Sequence, residues 1–497
     1  MNRFFVCVLS IVVAFCAFSP APAAYADMAW EDFMPNEFIK VGLAYGSGAP
    51  ASCEIYSDNG FILGFEDDGG IMEAFHLRDY TTITVKLSGR YATALSGDTL
   101  ISDDLGVSGY ILPYDYKDGG SIRFGGASYR GGLSFRPNPN NTITVVNLLP
   151  LEHYLYGVLN SEMGRQNPGE ALKAQAVVSR SYAIHSFGDH AADGFDVCSG
   201  VHCQVYKGSS AEYSETSRAA DETAGLIMYS GGKVASGNFF KNSGGHTQNS
   251  EDVWNDRVSH LRGVNDEFSP DYPWSWSVSA SRLGDTLAAG NMGCGDISSV
   301  TVSGRSANGY VSELTVRGSQ GSVVLKKEQI RSILGASNVK SLNFTLSSGS
   351  GTGGAVVSKP GGNAAGASRH ALGSSGAKAL SGKIYAVSAP SGGGEAVSAV
   401  SIGPSTAVLA ASGTTQGAMQ GTAQGVLQGG ASGTSQGGAG TGDSPATGGT
   451  IVFTGSGFGH GVGLPQDSAI EMAKQGYSYM EILNKYYTGI SISRREG

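Results

Sequence analysis

Alternation of apolar and polar positions predicts strands along the first three quarters of the chain. Ile39, Val41, Leu43 and Tyr45 occupy every second position, the pattern of a strand with one buried face. Further strands, rich in β-branched residues, are predicted at residues 142–146, 226–240 and 297–316. The folded part is therefore expected to contain several strands.

A different periodicity predicts helices. Apolar residues recur at i, i+3, i+4, i+7 and i+8 at Leu151, Tyr154, Leu155, Val158 and Leu159, which is one face of a helix. A second helix is expected to start at a cap on Asn167, with Pro168 in its first position and Glu170 three residues after the cap, and to run through Ile184. Together with the strands, these helices predict the α+β class, a β-rich domain with several helices.

Near the C-terminus the sequence predicts two short helices. Ser468 with Glu471, and Ser478 with Glu481, have the spacing of capping boxes. The last part of the chain is therefore expected to be structured and to pack on the main domain.

Between these regions the composition changes. Gly, Ser, Ala, Thr and Gln dominate residues 350–448, and residues 401–442 carry no charged side chain. Such a segment has little apolar surface to offset its ordering entropy, so we expect a disordered, flexible insert in which residues 383–387 could form one short strand. It would divide one domain into a main part, residues 27–349, and a C-terminal part, residues 449–497.

The first 26 residues are typical of an export signal. A polar, positive start at Asn2 and Arg3 precedes a largely apolar run at residues 4–18, and Ala24-Tyr25-Ala26 offers a cleavage motif before Asp27. The alternative is an uncleaved membrane anchor, although the apolar run is short for a bilayer span. The mature chain is expected to be exported, extracellular or associated with the cell wall, without a stable membrane span.

The charge balance bears on partners. The chain of 497 residues has 33 Lys and Arg against 42 Asp and Glu, a net charge of −9, and no basic run. Nucleic acid, whose phosphates require clustered cations, is therefore not expected as a partner.

One carboxyl group stands out on the first helix. Glu162 lies eleven residues after Leu151, so at 100° per residue it falls about 20° from the centre of the apolar face. Burial raises the pKa of a carboxyl group, which suits a general acid. The alternative is a glutamate at a fraying helix end that reaches solvent.

Two thiols and two imidazoles are closely spaced in His190, Cys198, His202 and Cys203. This set suffices for tetrahedral zinc, and four protein ligands would make the site structural. A disulfide between Cys198 and Cys203 is the competing interpretation. His185 could substitute as a ligand or be a surface histidine.

Two glycine-rich segments and a tryptophan group are further candidates. Residues 455–463 surround His460 with glycines, which is typical of a backbone that passes close to another group or of a tight turn with a structural histidine. Residues 242–247 resemble either a groove loop or a hairpin end. Trp254, Trp274 and Trp276 could stack on sugar rings or belong to the core.

Taken together, these segments resemble the stage II sporulation protein D and amidase-enhancer family. The resemblance rests on motifs at residues 146–163, 170–177, 180–183, 194–206, 243–254 and 459–463. It covers roughly residues 35–345 and 449–489. Departures occur at Gln248, at Phe458 and after Gly463, where the family's usual residues are replaced.

The resemblance implies a lytic transglycosylase that cleaves between N-acetylmuramic acid and N-acetylglucosamine in peptidoglycan and leaves 1,6-anhydro ends. It assigns Glu162 as the catalytic acid and base, with no second carboxylate and no cofactor required for catalysis. It also implies a preference for peptide-free glycan, an amidase as a partner, and structural zinc at His190, Cys198, His202 and Cys203. Arg180, Tyr182, Ser243, His246 and His460 fall in the matching motifs and are candidates for substrate binding.

Two other functions fit the sequence. One is a non-catalytic wall-binding protein that activates an N-acetylmuramoyl-L-alanine amidase, as the family's second name suggests. The other is a secreted metalloenzyme that uses the Cys/His cluster, which would lose activity on chelation.

Overall fold

The computed structural model of the chain describes residues 38–67, 70–349, 445–447 and 449–495. The predicted export signal, the predicted strand at residues 383–387 and nearly all of the predicted insert lie outside these described residues. Within them the class is α+β, as the sequence predicted, with eight α-helices among many strands.

Two sheets, built mainly from antiparallel strands, account for most of the described residues up to Pro150. The strands are β1 Phe38–Ala44, β2 Ser52–Tyr56, β3 Phe61–Asp67, β4 Gly70–Leu77, β5 Thr82–Ser88, β6 Tyr91–Ser96, β7 Thr99–Ser102, β8 Gly109–Pro113, β9 Ser121–Phe124, β10 Ala127–Arg130, β11 Gly132–Pro137, β12 Ile143–Pro150 and the later β13 Val197–Cys198. The larger sheet has the order β13-β1-β12-β11-β8-β3-β4, and the smaller one β10-β9-β2-β5-β6-β7. Within the described strands of these two sheets, the short β13 alone pairs in parallel, with β1.

The larger sheet is covered on both faces. Phe135 and Val145 belong to a core shared with Ile55 of the smaller sheet. Leu148 on the opposite face belongs to a core with Tyr154 of the helix that follows. All of β12 is consequently buried, which explains why its sequence is a continuous apolar run rather than an alternating one.

The helices form a second layer and continue into the C-terminal part. They are α1 Leu151–Glu162, α2 Gly169–His185, α3 Ser214–Glu222, α4 Ser250–Val253, α5 Ala280–Ala289, α6 Gln329–Leu334, α7 Gln466–Lys474 and α8 Tyr479–Tyr486. α1 follows β12 directly, with Pro150 as its N-cap. α2 is buried around most of its circumference because its residues belong to two cores, one shared with α1 and one shared with α7 and α8.

Short strands and a second β-rich core complete the fold. The remaining strands are β14 Leu226–Ser230, β15 Lys233–Val234, β16 Phe239–Phe240, β17 Pro273–Ser279, β18 Ile297–Arg305, β19 Val311–Gly318, β20 Gly321–Lys326, β21 Phe344–Ser348, β22 Ala446–Thr447, β23 Thr450–Ser456, β24 Leu464–Pro465 and β25 Ser491–Arg494. β17 to β23, α5 and α6 surround the second core, which contains Leu287, Leu314 and Phe453.

The residues after the predicted insert are integrated with those before it. β23 lies between β17 and β21, β24 pairs with β16, and β25 pairs with β14. The expectation that the last part of the chain packs on the main domain agrees with these pairings.

Two predicted caps are wrong. Pro168, not Asn167, is the N-cap of α2, and the Asn167 side chain instead donates hydrogen bonds to the carbonyls of Met163 and Gly164. Ser468 lies within α7 and donates its hydroxyl to Asp266, whereas the predicted Ser478 capping box is present at α8. In both cases the side chain that was predicted to cap a helix forms its hydrogen bond with a residue outside that helix instead.

Candidate active site and metal cluster

A cleft of about 430 Å³ opens where α1 ends. α1 contributes Glu162, the loop after β13 contributes Val205, and β16 contributes Phe240. The glycine-rich turn after β23 contributes His460, and α6 contributes Arg331. Among the described residues that line this cleft, Glu162 alone carries a carboxyl group.

The Glu162 side chain is held at the cleft wall. It is the last residue of α1 and is half-buried, and its Oε1 accepts a hydrogen bond of 2.8 Å from the Val205 N–H. Burial raises the pKa of the Glu162 carboxyl, and the hydrogen bond from Val205 only partly offsets this. The Glu162 carboxyl therefore keeps its proton to higher pH than an exposed glutamate does.

The four predicted metal ligands lie together. Their ligand atoms are all within 4.8 Å of one another. Cys203 Sγ lies 3.4 Å from His190 Nε2 and 3.4 Å from His202 Nδ1, and Cys198 Sγ lies 3.9 Å from His202 Nδ1. Both cysteines are free thiols, so the disulfide alternative is not what the structure contains.

The separations between the ligand atoms are close to those around a tetrahedral metal ion. Tetrahedral zinc with bonds of about 2.3 Å to sulfur and about 2.0 Å to nitrogen places sulfur and nitrogen ligands about 3.5 Å apart. The two Cys203 separations of 3.4 Å match this value, the Cys198–His202 separation of 3.9 Å is somewhat longer, and the donor set is one that zinc prefers. The four residues therefore fit a closed, four-ligand metal site, and the identity of the ion is not fixed by them.

The protonation of the two thiols also fits a metal site. Burial, followed by the neighbouring Cys198, raises the pKa of the Cys203 thiol to about 12. Two adjacent thiols therefore do not ionise together without a cation, and a bound metal would displace the protons. His185, the alternative ligand, lies outside the cluster and its ring contacts the Val234 carbonyl.

One loop connects the Cys/His cluster with the Glu162 side chain. His202 and Cys203 line the cleft, and Val205, two residues further, donates to the Glu162 carboxylate. The same loop is fixed by Tyr206, whose backbone N–H donates to the Ser199 carbonyl. The position of the loop therefore sets the position of the carboxyl group.

His460 lines the cleft but has no free ring nitrogen. Nε2 donates to the Phe239 carbonyl at 3.0 Å, and Nδ1 accepts from the Val462 N–H at 3.1 Å. Burial and then the charge of Arg331 lower the pKa of His460 to about 4. The imidazole is neutral at pH 7 and shapes the cleft, which agrees with the structural alternative considered for this glycine-rich turn.

Arg180 does not line the cleft, contrary to its prediction as a substrate-binding residue. Its side chain is 1% exposed and forms two hydrogen bonds with Glu152, at 2.7 and 2.6 Å. Further hydrogen bonds reach the carbonyls of Leu226 and Ala220. Arg180 therefore ties α1, α2 and α3 together in the interior.

Ser243 and His246 are also placed away from the cleft lining. The buried Ser243 hydroxyl donates to Asp266, which also accepts from Ser468 and Tyr486. The His246 ring donates to the carbonyl of Thr247, its neighbour in the chain. A buried carboxylate such as Asp266 needs several hydrogen-bond donors. Its bond from Ser243 therefore fixes the loop at residues 242–247, which was predicted as a groove loop.

Of the remaining candidates, two contribute to the cleft. Tyr182 and Trp254 line it, and the Trp254 ring lies 5.1 Å from the His460 ring. Trp274 is buried in the second core, and Trp276 packs against Phe453 there. The core interpretation therefore holds for two of the three tryptophans.

Two cations in the cleft wall were missed by sequence analysis. Arg331 on α6 and Lys241 after β16 both line the cleft. Arg331 lies in a short, charged segment without a motif, and its neighbours in the cleft come from distant parts of the chain. No local signal could have identified it.

None of the helices in the described ranges combines the length and apolar character that crossing a bilayer requires.

Comparison with protein families gives two adjacent matches. Residues 139–229, which include Glu162 and the Cys/His cluster, match the family described as stage II sporulation protein. Residues 236–358, which include Trp254 and Arg331, match a domain of unknown function.

Three relatives illustrate the similarity. An uncharacterized protein of Brachyspira hyodysenteriae is 30% identical over 279 residues, 54% of this chain and 74% of the relative. Stage II sporulation protein D of Bacillus amyloliquefaciens is 28% identical over 366 residues, 70% of this chain and 75% of the relative. The amidase enhancer of Bacillus subtilis is 26% identical over 219 residues, 44% of this chain but only 29% of that relative.

Proposed function

This chain belongs to the stage II sporulation protein D family, and we propose that it is a lytic transglycosylase of bacterial peptidoglycan. Family membership, with an amidase enhancer among the relatives, places it in a cell-wall-related function. The predicted export signal at residues 1–26 would deliver it to that substrate.

The observation that carries the proposal is the single acid in the cleft. Ordinary glycoside hydrolysis uses two carboxyl groups, one of which activates water or attacks the sugar. The described lining of this cleft holds one carboxyl group, Glu162, with a raised pKa. One acid suffices when the nucleophile is a hydroxyl group of the substrate itself.

In the proposed reaction Glu162 acts twice. Its protonated carboxyl donates a proton to the glycosidic oxygen, so that the bond to C1 of N-acetylmuramic acid breaks and N-acetylglucosamine leaves with a free 4-hydroxyl group. The resulting carboxylate then accepts the proton of the C6 hydroxyl as its oxygen bonds to C1. The 1,6-anhydro ring forms, and the carboxyl group is protonated again.

The cleft offers matching surroundings for a sugar. Its volume of about 430 Å³ falls in the range of about 300–1,000 Å³ that is typical of ligand sites. Trp254 and Tyr182 supply aromatic surface for the apolar faces of sugar rings.

The proposed activity is tested by product identity. Purified protein should convert amidase-treated, peptide-free glycan into fragments that end in 1,6-anhydro-N-acetylmuramic acid, detected by mass spectrometry as one water lighter than hydrolysis products. Reducing ends instead of anhydro ends would mean hydrolysis, and the absence of both would contradict the enzymatic proposal.

We further propose that the metal cluster binds zinc. His190, Cys198, His202 and Cys203 would hold the ion, and it would stabilise the loop that carries Val205. With four protein ligands the ion has no open position for substrate, so it would supply structure rather than reaction chemistry.

Removal of the metal is expected to destabilise the protein before it changes the chemistry. Metal analysis should give about one zinc per chain, and Cys203→Ala should lose the ion and lower Tm by several degrees, because the free energy of metal binding is part of the free energy of folding. Cys294→Ala, which removes a buried thiol in the second core, is the matched control and should retain the metal. A metal-free wild-type protein with unchanged Tm after chelation would refute the zinc site.

A second candidate function follows from the amidase enhancer among the relatives. In this alternative the chain binds the wall and stimulates an N-acetylmuramoyl-L-alanine amidase without cleaving glycan. Adding the Glu162→Gln variant to such an amidase separates the two functions, since stimulation would survive the substitution only if no chemistry at Glu162 is required.

A further inference from the structure

The cleft contains a cation that the proposed mechanism does not use. We propose that Arg331 binds the free lactyl carboxylate of N-acetylmuramic acid and thereby selects glycan from which the peptide has been removed. This inference rests on the proposed function, because it names a specificity-determining residue of the same cleft.

The Arg331 guanidinium has a donor left for a ligand. Nε donates to the Val339 carbonyl at 3.1 Å, and Nη1 donates to the Glu328 carboxylate. Among the described residues, Nη2 has no hydrogen-bond partner, although the side chain is only 7% exposed. Since Arg331 also lines the cleft, its remaining accessible surface faces that space.

The guanidinium is held firmly by its surroundings. Lys327, just before α6, donates through Nζ to the carbonyls of Glu251 and Trp254 at 2.7 Å each. The Glu328 N–H donates to the Val253 carbonyl at 3.5 Å. α6 is therefore tied to the turn that carries Trp254, so that the cation and the aromatic ring belong to one rigid part of the cleft wall.

Competition for Arg331 within the cleft is limited. Glu328 is its one carboxylate partner among the described residues, and burial raises the pKa of that group while its Oε2 has no hydrogen-bond partner. His460 is neutral and uses both ring nitrogens. Lys241, the other cation, is half exposed and already paired with Asp467. Arg331 is therefore the better placed of the two to receive an anion.

The substrate offers one suitable anion at this position in the polymer. N-acetylmuramic acid differs from N-acetylglucosamine by a lactyl ether that ends in a carboxyl group. This group is an anion when no peptide is attached and a neutral amide when a peptide is present. A planar guanidinium fits a carboxylate well, whereas an amide offers one neutral oxygen and a larger substituent.

The test compares two forms of one glycan, which differ at the lactyl group. The first is peptide-free glycan with free carboxylates, and the second is the same material after conversion of the carboxylates to methylamides. Formation of anhydro ends and calorimetric binding of soluble fragments are both measured for each form. Wild-type protein should prefer the carboxylate form by about 10- to 100-fold, the effect of losing a hydrogen bond to a charged group.

Substitutions at Arg331 and at Glu328 should change the preference for the carboxylate form of the glycan in opposite directions. Arg331→Met should abolish it by weakening only the carboxylate form, with less than about a 2-fold change for the methylamide. Glu328→Gln removes the competing charge and should increase the preference, and it also tests the proposal if Arg331→Met fails to fold. Arg262→Met is the matched control, because Arg262 forms a similar pair with Glu251 but does not line the cleft.

Each outcome decides the proposal. Equal losses for both glycan forms in Arg331→Met, or a wild-type protein that does not distinguish the forms, would overturn it. If no anhydro ends form but binding still depends on the carboxylate and on Arg331, the proposed lytic reaction fails while the carboxylate site stands.

Discussion

Replacement of Glu162 by glutamine should lower the rate of anhydro-end formation by at least about 100-fold, because general acid–base catalysis contributes about 10²–10⁴. Glutamine has nearly the same shape and its Oε1 can still accept from the Val205 N–H, so the loop and the cleft should be unchanged. Release of anhydro fragments from peptide-free glycan, followed by mass spectrometry, measures the effect. Glu215→Gln, at an exposed position on α3, is the matched control and should keep full activity.

The same group sets the pH dependence. Since burial raises the pKa of Glu162, the acid form persists to higher pH than an ordinary glutamate, and wild-type activity should fall as pH rises through that pKa. The contribution of Glu162 to the stability of the fold changes with pH in the same direction. A raised folded-state pKa favours the folded protein at low pH, and this contribution is lost as pH rises, so Glu162→Gln should gain Tm relative to wild type toward alkaline pH. A wild-type rate that does not depend on pH in this range, or a fully active Glu162→Gln, would exclude the role of Glu162.

Replacement of Arg180 by methionine should destabilise the protein by about 3–5 kcal/mol, the usual cost of leaving one buried charge of a pair unpartnered. Arg180 and Glu152 are 1% and 6% exposed, and the pair also receives the Gly225 N–H and donates to two carbonyls. Denaturant unfolding measures the loss. KM for glycan should not change in the protein that remains folded.

A double variant distinguishes this explanation from a role in substrate binding. Arg180→Met combined with Glu152→Leu removes both charges and should recover much of the lost stability, since an apolar replacement of a whole buried pair is often nearly neutral. A stable Arg180→Met protein with a raised KM would instead restore Arg180 to the substrate site.

Local patterns predicted some features of the site and could not predict others. The i, i+3, i+4 periodicity of α1 placed Glu162 on its apolar side, and the structure has that carboxyl half-buried with a raised pKa. The Cys/His cluster could be predicted because its four ligands lie within fourteen residues of chain. Both depend on interactions close in sequence.

Non-local contacts explain the errors. Arg180 stands on a helix that is buried on nearly all sides, and its partner Glu152 belongs to another helix, so a charged residue in a matching motif was mistaken for a groove residue. Arg331 and Trp254 meet Glu162 only through the tertiary fold, across the boundary between the two family matches. Neither periodicity nor spacing carries that information.

The last fifty residues have a consequence for the order of assembly. β23 lies between β17 and β21, and the turn after it supplies His460 to the cleft. A chain synthesised from its N-terminus would thus contain Glu162 early, while β23 and the turn after it, which complete the three-stranded sheet and the cleft, would follow much later. Until β23 and that turn have docked, the cleft beside Glu162 would lack part of its wall.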